Sequence, residues 1–369
     1  METYDIVIVG GGIAGASLAA RLAGKRSVLV LESEDMCGRH ATARSAAFWQ
    51  ASLGGSSPER RLSVLSKPMF DAGWPDSPSP LLRTRGAIHL TRHDHEQFGN
   101  IGGLEAENRP HRIGRVELDS LLPGLHEQWT GGWLEQSCAD IDVATFHAAC
   151  LAFARRGGAT IAVDRAMTSA ASDNDRWLVG TEAGPVSATT LVNAAGAWGD
   201  EIAKRSGVTP LGLTPMRRTV VQLRVARHGL RDVPFVTDLH ESFYFKGEGD
   251  NSVWVCPLDE TQVEPCDAAP EEIDVAVAVD RFEHAVDWPV EAVERKWAGL
   301  RTFAPDRAMK FGFDPEAPGF FWCVGQGGMG IQTAPAASLL CARLILDEAL
   351  GKELDGLDAA DFDPRSLRS

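Results

Sequence analysis

Apolar and polar positions follow two rhythms along this chain, and the change between them divides it. Ile6 to Val9 is apolar without interruption, as a strand buried on both faces requires, and Val28 to Leu31 repeats the pattern. Between them Gly10, Gly12 and Gly15 open a helix that Gly24 ends. Gly86 to Thr91 and Gly131 to Ser137 read as strands, and the polar, proline-punctuated stretch from 50 to 80 as a surface connection with a short helix. Ile141 to Arg156 is helical, with Val143, Phe146, Ala149, Cys150 and Phe153 three or four apart, and Gly157-Gly158 stops it. Thr160 to Val163, Trp177 to Thr181 and the buried Thr190 to Ala194 follow as strands, then a helix to about Ser206.

From Leu213 to Phe303 the rhythm becomes period two. Arg218 to Val225, Ser242 to Lys246, Ser252 to Pro257 and Ala292 to Ala298 alternate as half-buried strands, interrupted by a helix over Asp274 to Ala285. Gly319 to Val324 is again a buried strand, followed by the glycine-rich Gly325 to Gln332 and a helix over Ala334 to Ala349. The pattern predicts an α/β protein. A discontinuous Rossmann-like domain is drawn from 1–80, 141–210 and 304–369, and a second, α+β domain on a mostly antiparallel sheet from 81–140 and 211–303.

The first turn carries the clearest chemistry. Gly10, Gly12 and Gly15 stand in the G-x-G-x-x-G order that permits a tight turn, close approach to a pyrophosphate, and close packing of helix on strand. The helix N-terminus, through Ile13 and Ala14, offers N–H groups and partial positive charge to phosphates. Glu32 falls about twenty residues after Gly12, where its carboxylate can accept from a ribose hydroxyl and would repel a 2′-phosphate, which argues against NADP. NAD and FAD both remain open at this turn. A cofactor domain gathered from three segments suits the longer FAD.

Composition narrows the partners. A net charge of −15, with no basic stripe, excludes a nucleic-acid partner. No apolar run is long enough to cross a membrane, and the first strand begins too early to leave room for a signal peptide, so a cytoplasmic location is expected. The seven cysteines are scattered and never paired as Cys-x-x-Cys, which suits free thiols rather than disulfides or zinc. His93 and His95, set among Arg92, Asp94 and Glu96 just beyond His89, read as a solvated loop, and no metal is expected.

Four further segments complete the picture: Thr42-Ala43-Arg44-Ser45-Ala46-Ala47, Asn193-Ala194-Ala195-Gly196-Ala197-Trp198, Trp297-Ala298-Gly299-Leu300-Arg301 and Gly328-Met329-Gly330-Ile331-Gln332-Thr333. With the first turn and Glu241-Ser242-Phe243-Tyr244, they resemble the FAD-dependent D-amino acid oxidase/dehydrogenase superfamily over nearly the whole chain, and within it the bacterial D-arginine dehydrogenases. The resemblance implies FAD, held by the residues of the first turn, Glu32, Ser33, Thr42, Arg44, Ser45, Ala46, Ala47, Phe48, Ala166, Ala195, Gly196, Trp198 and the 328–333 loop, whose N–H groups would face the pyrimidine edge of the flavin. It places a carboxylate clamp on Arg218, Tyr244 and Arg301, with Gln332 orienting the substrate amine. Guanidinium groups grip carboxylates bidentately, and an arginine between Leu300 and Phe303 needs a partner. Arg301 is expected just beyond the last strand of the second domain.

Where those dehydrogenases carry a glutamate, a histidine and a tyrosine toward the substrate side chain, this chain has Ala87, Phe48 and Leu53. The pocket of Phe48, Leu53, Ala87, Arg218, Tyr244, Arg301 and Gly328 is therefore expected to favour an apolar side chain over arginine. The expected reaction is oxidation of a D-amino acid to the imino acid by hydride transfer to noncovalent FAD, then hydrolysis to a 2-oxo acid and ammonia. Noncovalent binding follows from Thr302 to Met309, which holds no cysteine or histidine for a covalent link. Oxygen and a quinone remain open as acceptors. Two other readings stand: a secondary-amine oxidase acting on sarcosine, glycine or an imino acid, and a flavin-bearing subunit of a larger complex.

Overall fold

The computed structural model describes residues 1–54, 57–75, 77, 80–93, 95–99, 102, 104–173 and 175–368. Its helices are α1 (Ile13–Leu22), α2 (Pro58–Asp71), α3 (Arg115–Leu121), α4 (Val143–Arg156), α5 (Gly199–Arg205), α6 (Glu272–Glu283) and α7 (Gly330–Ile345).

One sheet is built on the uninterrupted apolar runs. Glu2–Val9 lies between Val28–Leu31 and Val186–Asn193, parallel to both, and Thr160–Ala162 extends it beyond Val28–Leu31. Phe320–Val324 joins Val186–Asn193 in parallel, so distant parts of the chain meet in one layer. Burial on both faces explains why these strands lack alternation: α1, α4 and α7 pack over Ile6, Ile8 and Val30, and Val7, Val9 and Leu29 turn to the opposite side. Arg176–Thr181 pairs antiparallel with Val186–Asn193, and the antiparallel edge strands Met167–Asp173, beyond it, and Lys310–Phe313, neither expected from the sequence, complete the sheet.

The second sheet runs Thr261–Gln262, Thr214–Val225, Ser252–Cys256, Tyr244–Gly247, Phe235–Asp238, Ala87–Thr91, Gly131–Glu135, His111–Gly114, and Val290–Phe303 also pairs along Thr214–Val225. It is antiparallel except where Phe235–Asp238 lies parallel to Ala87–Leu90. Its period-two pattern separates two faces. Ile88, Leu134, Val221, Val236, Phe245 and Val255 point into a core closed by Leu118 of α3 and by Val275, Ala278 and Phe282 of α6. The other face carries Glu135, Ala87, His89, Phe235, Tyr244, Arg218 and Arg301 in register, since Ala87 stands opposite Glu135, Thr237 opposite Tyr244, Tyr244 opposite Cys256, and Arg218 opposite Gly299. Arg301 lies inside the strand Val290–Phe303, not after it as expected, and pairs with Met216. Adjacent strands therefore bring Arg218 and Arg301 together as diagonal neighbours.

A small third sheet, Phe48–Trp49, Ala139–Ile141 and Leu82–Thr84, lies beside this polar face. Asp140 anchors it. Its Oδ2 accepts from Arg85 Nε at 2.7 Å and its Oδ1 from Lys246 Nζ at 3.2 Å, with both cations nearly buried. Burial alone would raise the Asp140 carboxyl, but Lys246 and Arg85 hold it below its ordinary value. Asp140→Asn is expected to cost about 3 kcal/mol in urea unfolding, because the buried Arg85 loses its charged partner and the buried Lys246 is left with Glu248. The folded carboxyl titrates below its unfolded value of about 3.9, so the stabilisation is full above that pH and is lost as the pH falls through the folded value. The gap between wild type and Asp140→Asn should close in acid and stay constant between pH 6 and 8.

Candidate active site

An elongated cavity of about 470 Å³ runs between the two sheets, within the usual range of small-molecule sites. One end is lined by Glu32, Ser33 and Ala166, the middle by Gly10, Gly12, Ile13, Ala14, Thr42, Arg44, Ser45, Ala46, Ala195, Gly196 and Trp198, and the far end by Arg218, Tyr244, Arg301, Gly328, Gly330 and Ile331.

The glycine turn is built by close approach. Gly10 has φ +107°, and a Cβ there would stand 2.5 Å from the Ala194 carbonyl oxygen; a Cβ on Gly15 would collide with the Gly10 carbonyl oxygen. Gly15 therefore packs helix on strand and does not line the cavity. The Gly11 peptide beside it is held on both sides, its N–H donating to Glu32 Oε2 at 2.9 Å and its oxygen accepting from His147 Nε2 at 2.8 Å. Burial lowers His147, which suits a neutral ring donating that bond. Two expectations change here. Glu32, which lines the cavity, already holds the backbone of Gly11 and, through Oε1, the backbone of Glu34 and the Ser33 hydroxyl. The Ile13 N–H is occupied by the Thr42 hydroxyl at 3.0 Å, so the N-terminus of α1 is partly capped rather than wholly free.

Arg44 spans the edge of the cavity, donating to the carbonyls of Ala268 and Ala298 and pairing with Asp267, while its own carbonyl accepts from Trp297 Nε1. The elements that meet here leave room for a long dinucleotide. Gly12 and Gly196 present no Cβ to it, and only the Thr42 hydroxyl comes within 4 Å of the place a Gly12 Cβ would take. The residues present fit FAD.

At the far end the charge is unbalanced. Arg218 is 7% exposed, and only its Nη2 is paired, to Glu260 Oε1 at 3.0 Å; its Nε and Nη1 are buried without a partner. Glu260 is shared with the exposed Arg307. Arg301 lies alongside, and burial together with the charge of Arg218 lowers its guanidinium. Burial and the neighbouring Cys256 push the Tyr244 phenol well above its ordinary value, so it remains a neutral donor. Gly328 supplies space, since a Cβ there would stand 2.9 Å from Arg301 Nη1. The adjacent Arg217 points to the opposite face and is ion-paired with Glu271 and Asp274 at the start of α6.

Ala87 and Phe48 do not line the cavity but back its inner end. Ala87 is fully buried in an apolar cluster with Ala46, Phe235 and Tyr244, and the Phe48 ring lies 4.2 Å from Phe235 and 6.0 Å from Tyr244. Leu53 is half-buried in the segment after Phe48–Trp49, and Ala47 and Met329 pack against the main core. The last helix starts at Gly330, four residues earlier than expected, so Gln332 and Thr333 lie in its first turn. Thr333 is buried and donates to the Met329 carbonyl; Gln332 is 2% exposed, with Oε1 accepting from the Gln50 N–H.

Sequence reasoning missed Glu260, His147, and a buried polar cluster of Gln50, Ser52, His89 and Glu135. Their partners are far apart in the chain, and the one sequence signal was an acid inside an otherwise apolar strand at Glu135. His93 and His95 stack 5.4 Å apart in an exposed segment, while Asp94 lies outside the described residues. Among the described residues no cluster could hold a metal ion, and no helix is long and apolar enough to cross a membrane.

With this geometry in view, comparison with known proteins is decisive on family. The model of the DAO family, FAD-dependent oxidoreductases, matches residues 5–344. The chain belongs to this family. FAD is its cofactor. The hydrogen cyanide synthase subunit HcnC of Pseudomonas aeruginosa is 26% identical, covering 98% of this chain and 97% of that protein. Glycine oxidase of Geobacillus kaustophilus is 24% identical over 93% of each, and its crystal structure superposes with a TM-score of 0.81 over 98% of both chains at 22% identity. The fold is shared as well with L-proline dehydrogenase from P. horikoshii, at a TM-score of 0.80 over 100% of this chain and 98% of that one, with 19% identity. Some other curated relatives are much longer, and the chain spans 30% to 37% of their length. A flavin-dependent oxidoreductase of the amino acid and amine oxidase type is thereby established.

Glu260 competes with any anion for Arg218. Glu260→Gln is expected to tighten benzoate binding about fivefold, followed by flavin absorbance, because the guanidinium loses its internal counter-ion while keeping its position on the strand.

Proposed function

We propose that the protein oxidises a D-amino acid with an apolar side chain to its imino acid, which water then converts to a 2-oxo acid and ammonia. The observation that carries this reading is the pair of buried, unpartnered donors on Arg218 beside Arg301 and Tyr244. Buried N–H groups of this kind demand an acceptor, and two guanidinium groups with a neutral phenol match a carboxylate. FAD, when bound, accepts the hydride from the α-carbon.

The chain's own part is positioning. Arg218 and Arg301 hold the carboxylate, Tyr244 adds one donated hydrogen bond, and the first turn of α7, braced by Gln332, orients the amine. The fully buried Ala87 and the rings of Phe48 and Phe235 form an apolar wall around Tyr244. Glu135 stands opposite Ala87, yet its Oε1 is occupied by the backbone N–H groups of Ala51 and Ser52 and its Oε2 by the Ser52 hydroxyl and the Gln50 amide, so no free carboxylate is offered to a substrate guanidinium. Burying that cation unpaired would cost several kcal/mol. Thr302 to Met309 offers no cysteine or histidine to a flavin, which supports noncovalent FAD.

Two observations favour second readings. The likeness to glycine oxidase over 93% of both chains supports glycine or a secondary amine as substrate, and the likeness to HcnC over nearly its full length supports membership of a larger complex. Anaerobic mixing of the FAD-loaded protein with D-Leu, D-Met, D-Phe, D-Arg, glycine and sarcosine separates them. Bleaching of the flavin at least tenfold faster by the apolar D-amino acids than by D-Arg is expected. Bleaching by glycine or sarcosine alone would favour the second substrate class, and no bleaching at all would favour the subunit reading. Acid precipitation of the same sample should release all the flavin, and peroxide formation under air distinguishes oxygen from a quinone as acceptor.

A further inference from the structure

Behind the inner end of the cavity lies a buried carboxylate that the proposed reaction does not use. Glu135, at the end of the strand Gly131–Glu135, has no exposed surface. Its Oε1 accepts from the N–H groups of Ala51 and Ser52 at 2.8 and 3.1 Å, and its Oε2 from the Ser52 hydroxyl and from Gln50 Nε2 at 3.2 Å. Gln50 Nε2 also lies 2.9 Å from His89 Nε2, on the neighbouring strand. Four donors on one carboxylate are more than burial alone demands, and all four come from three consecutive residues. The carboxylate therefore fixes the segment Gln50–Ser52 against the sheet.

That segment in turn fixes α7. The Gln50 N–H donates to Gln332 Oε1 at 3.0 Å, which settles the orientation of the Gln332 amide and leaves its Nε2 buried without a partner. Gln332 does not itself line the cavity, but Gly330 and Ile331, directly before it in the first turn of α7, do.

We propose that Glu135 is a positioning residue: through the Gln50–Ser52 segment and Gln332 it holds the first turn of α7, whose Gly330 and Ile331 line the cavity, in place at the flavin end. This inference rests on the reading of that end as the flavin and substrate site. The four hydrogen bonds that Glu135 accepts tie the segment to the sheet, and backbone N–H groups in a fixed turn stabilise developing negative charge better than mobile ones.

Sulfite binding to the FAD-loaded protein, read from flavin absorbance, tests this without any amine substrate, because sulfite affinity reports the donors around the flavin. Glu135→Gln, nearly isosteric, is expected to weaken sulfite binding about fivefold while leaving benzoate affinity within twofold, since benzoate reports the Arg218 and Arg301 clamp. Gln332→Ala should weaken sulfite to a similar extent, and the double variant should be no weaker than Gln332→Ala alone. Additive losses in the double variant, or unchanged sulfite affinity in Glu135→Gln, would overturn the proposal. Should Glu135→Gln fail to retain FAD, Ser52→Ala removes one of the four donors, and a change of about twofold in the same direction is expected; no change there counts equally against it. A protein that shows this coupling but oxidises no amino acid would refute the proposed reaction and leave the role of Glu135 standing.

Discussion

Two guanidinium groups, those of Arg218 and Arg301, sit side by side at the inner end of the cavity, and Glu260, which pairs with Arg218, is shared with the exposed Arg307. Taking one such cation out of water costs several kcal/mol, and placing a second beside it adds repulsion. The surrounding structure accommodates this rather than neutralising it. Neighbouring antiparallel strands hold both side chains on one face, Gly299 and Gly328 withhold side chains beside them, and Tyr244 stays protonated under burial. A site kept in this state is specific for an anion.

The remaining architecture supports that end of the cavity from two sides. The apolar face of the second sheet packs on α3 and α6, which makes its opposite face a rigid platform for Glu135, Tyr244, Arg218 and Arg301. The parallel sheet brings the Gly10 to Gly15 turn and the start of α7 to the other wall, although they lie more than three hundred residues apart. Membership of the DAO family accounts for this frame and for FAD, and behind the cavity Ala87, Phe48 and Phe235 pack with Tyr244 in an apolar cluster.

Much of this frame was legible because local pattern and tertiary environment agree. Ile6–Val9 and Val28–Leu31 are buried on both faces, and Ser252–Cys256 is half-buried, as their patterns implied. The glycine spacing marked a turn where a Cβ has no room. What escaped notice depends on contacts between distant segments. Phe235–Asp238 is short and buried throughout, and its role comes from pairing in parallel with Ala87–Leu90. Glu135 is bonded to residues more than eighty positions earlier, so an acid in an otherwise apolar strand was the one local sign of the cluster. Arg301 was recognised as needing a partner, but its place within a fourteen-residue strand depended on pairing with Thr214–Val225, distant in sequence.

The central claim is that the unpaired donors of Arg218, with Arg301 and Tyr244, form a carboxylate grip. Its most direct test compares two ligands of nearly equal shape, benzoate and benzamide, titrated into the FAD-loaded protein and followed by flavin absorbance. Charge-assisted hydrogen bonds of roughly 1.5–3 kcal/mol each predict benzoate to bind on the order of a hundredfold more tightly. Equal affinities would contradict the account.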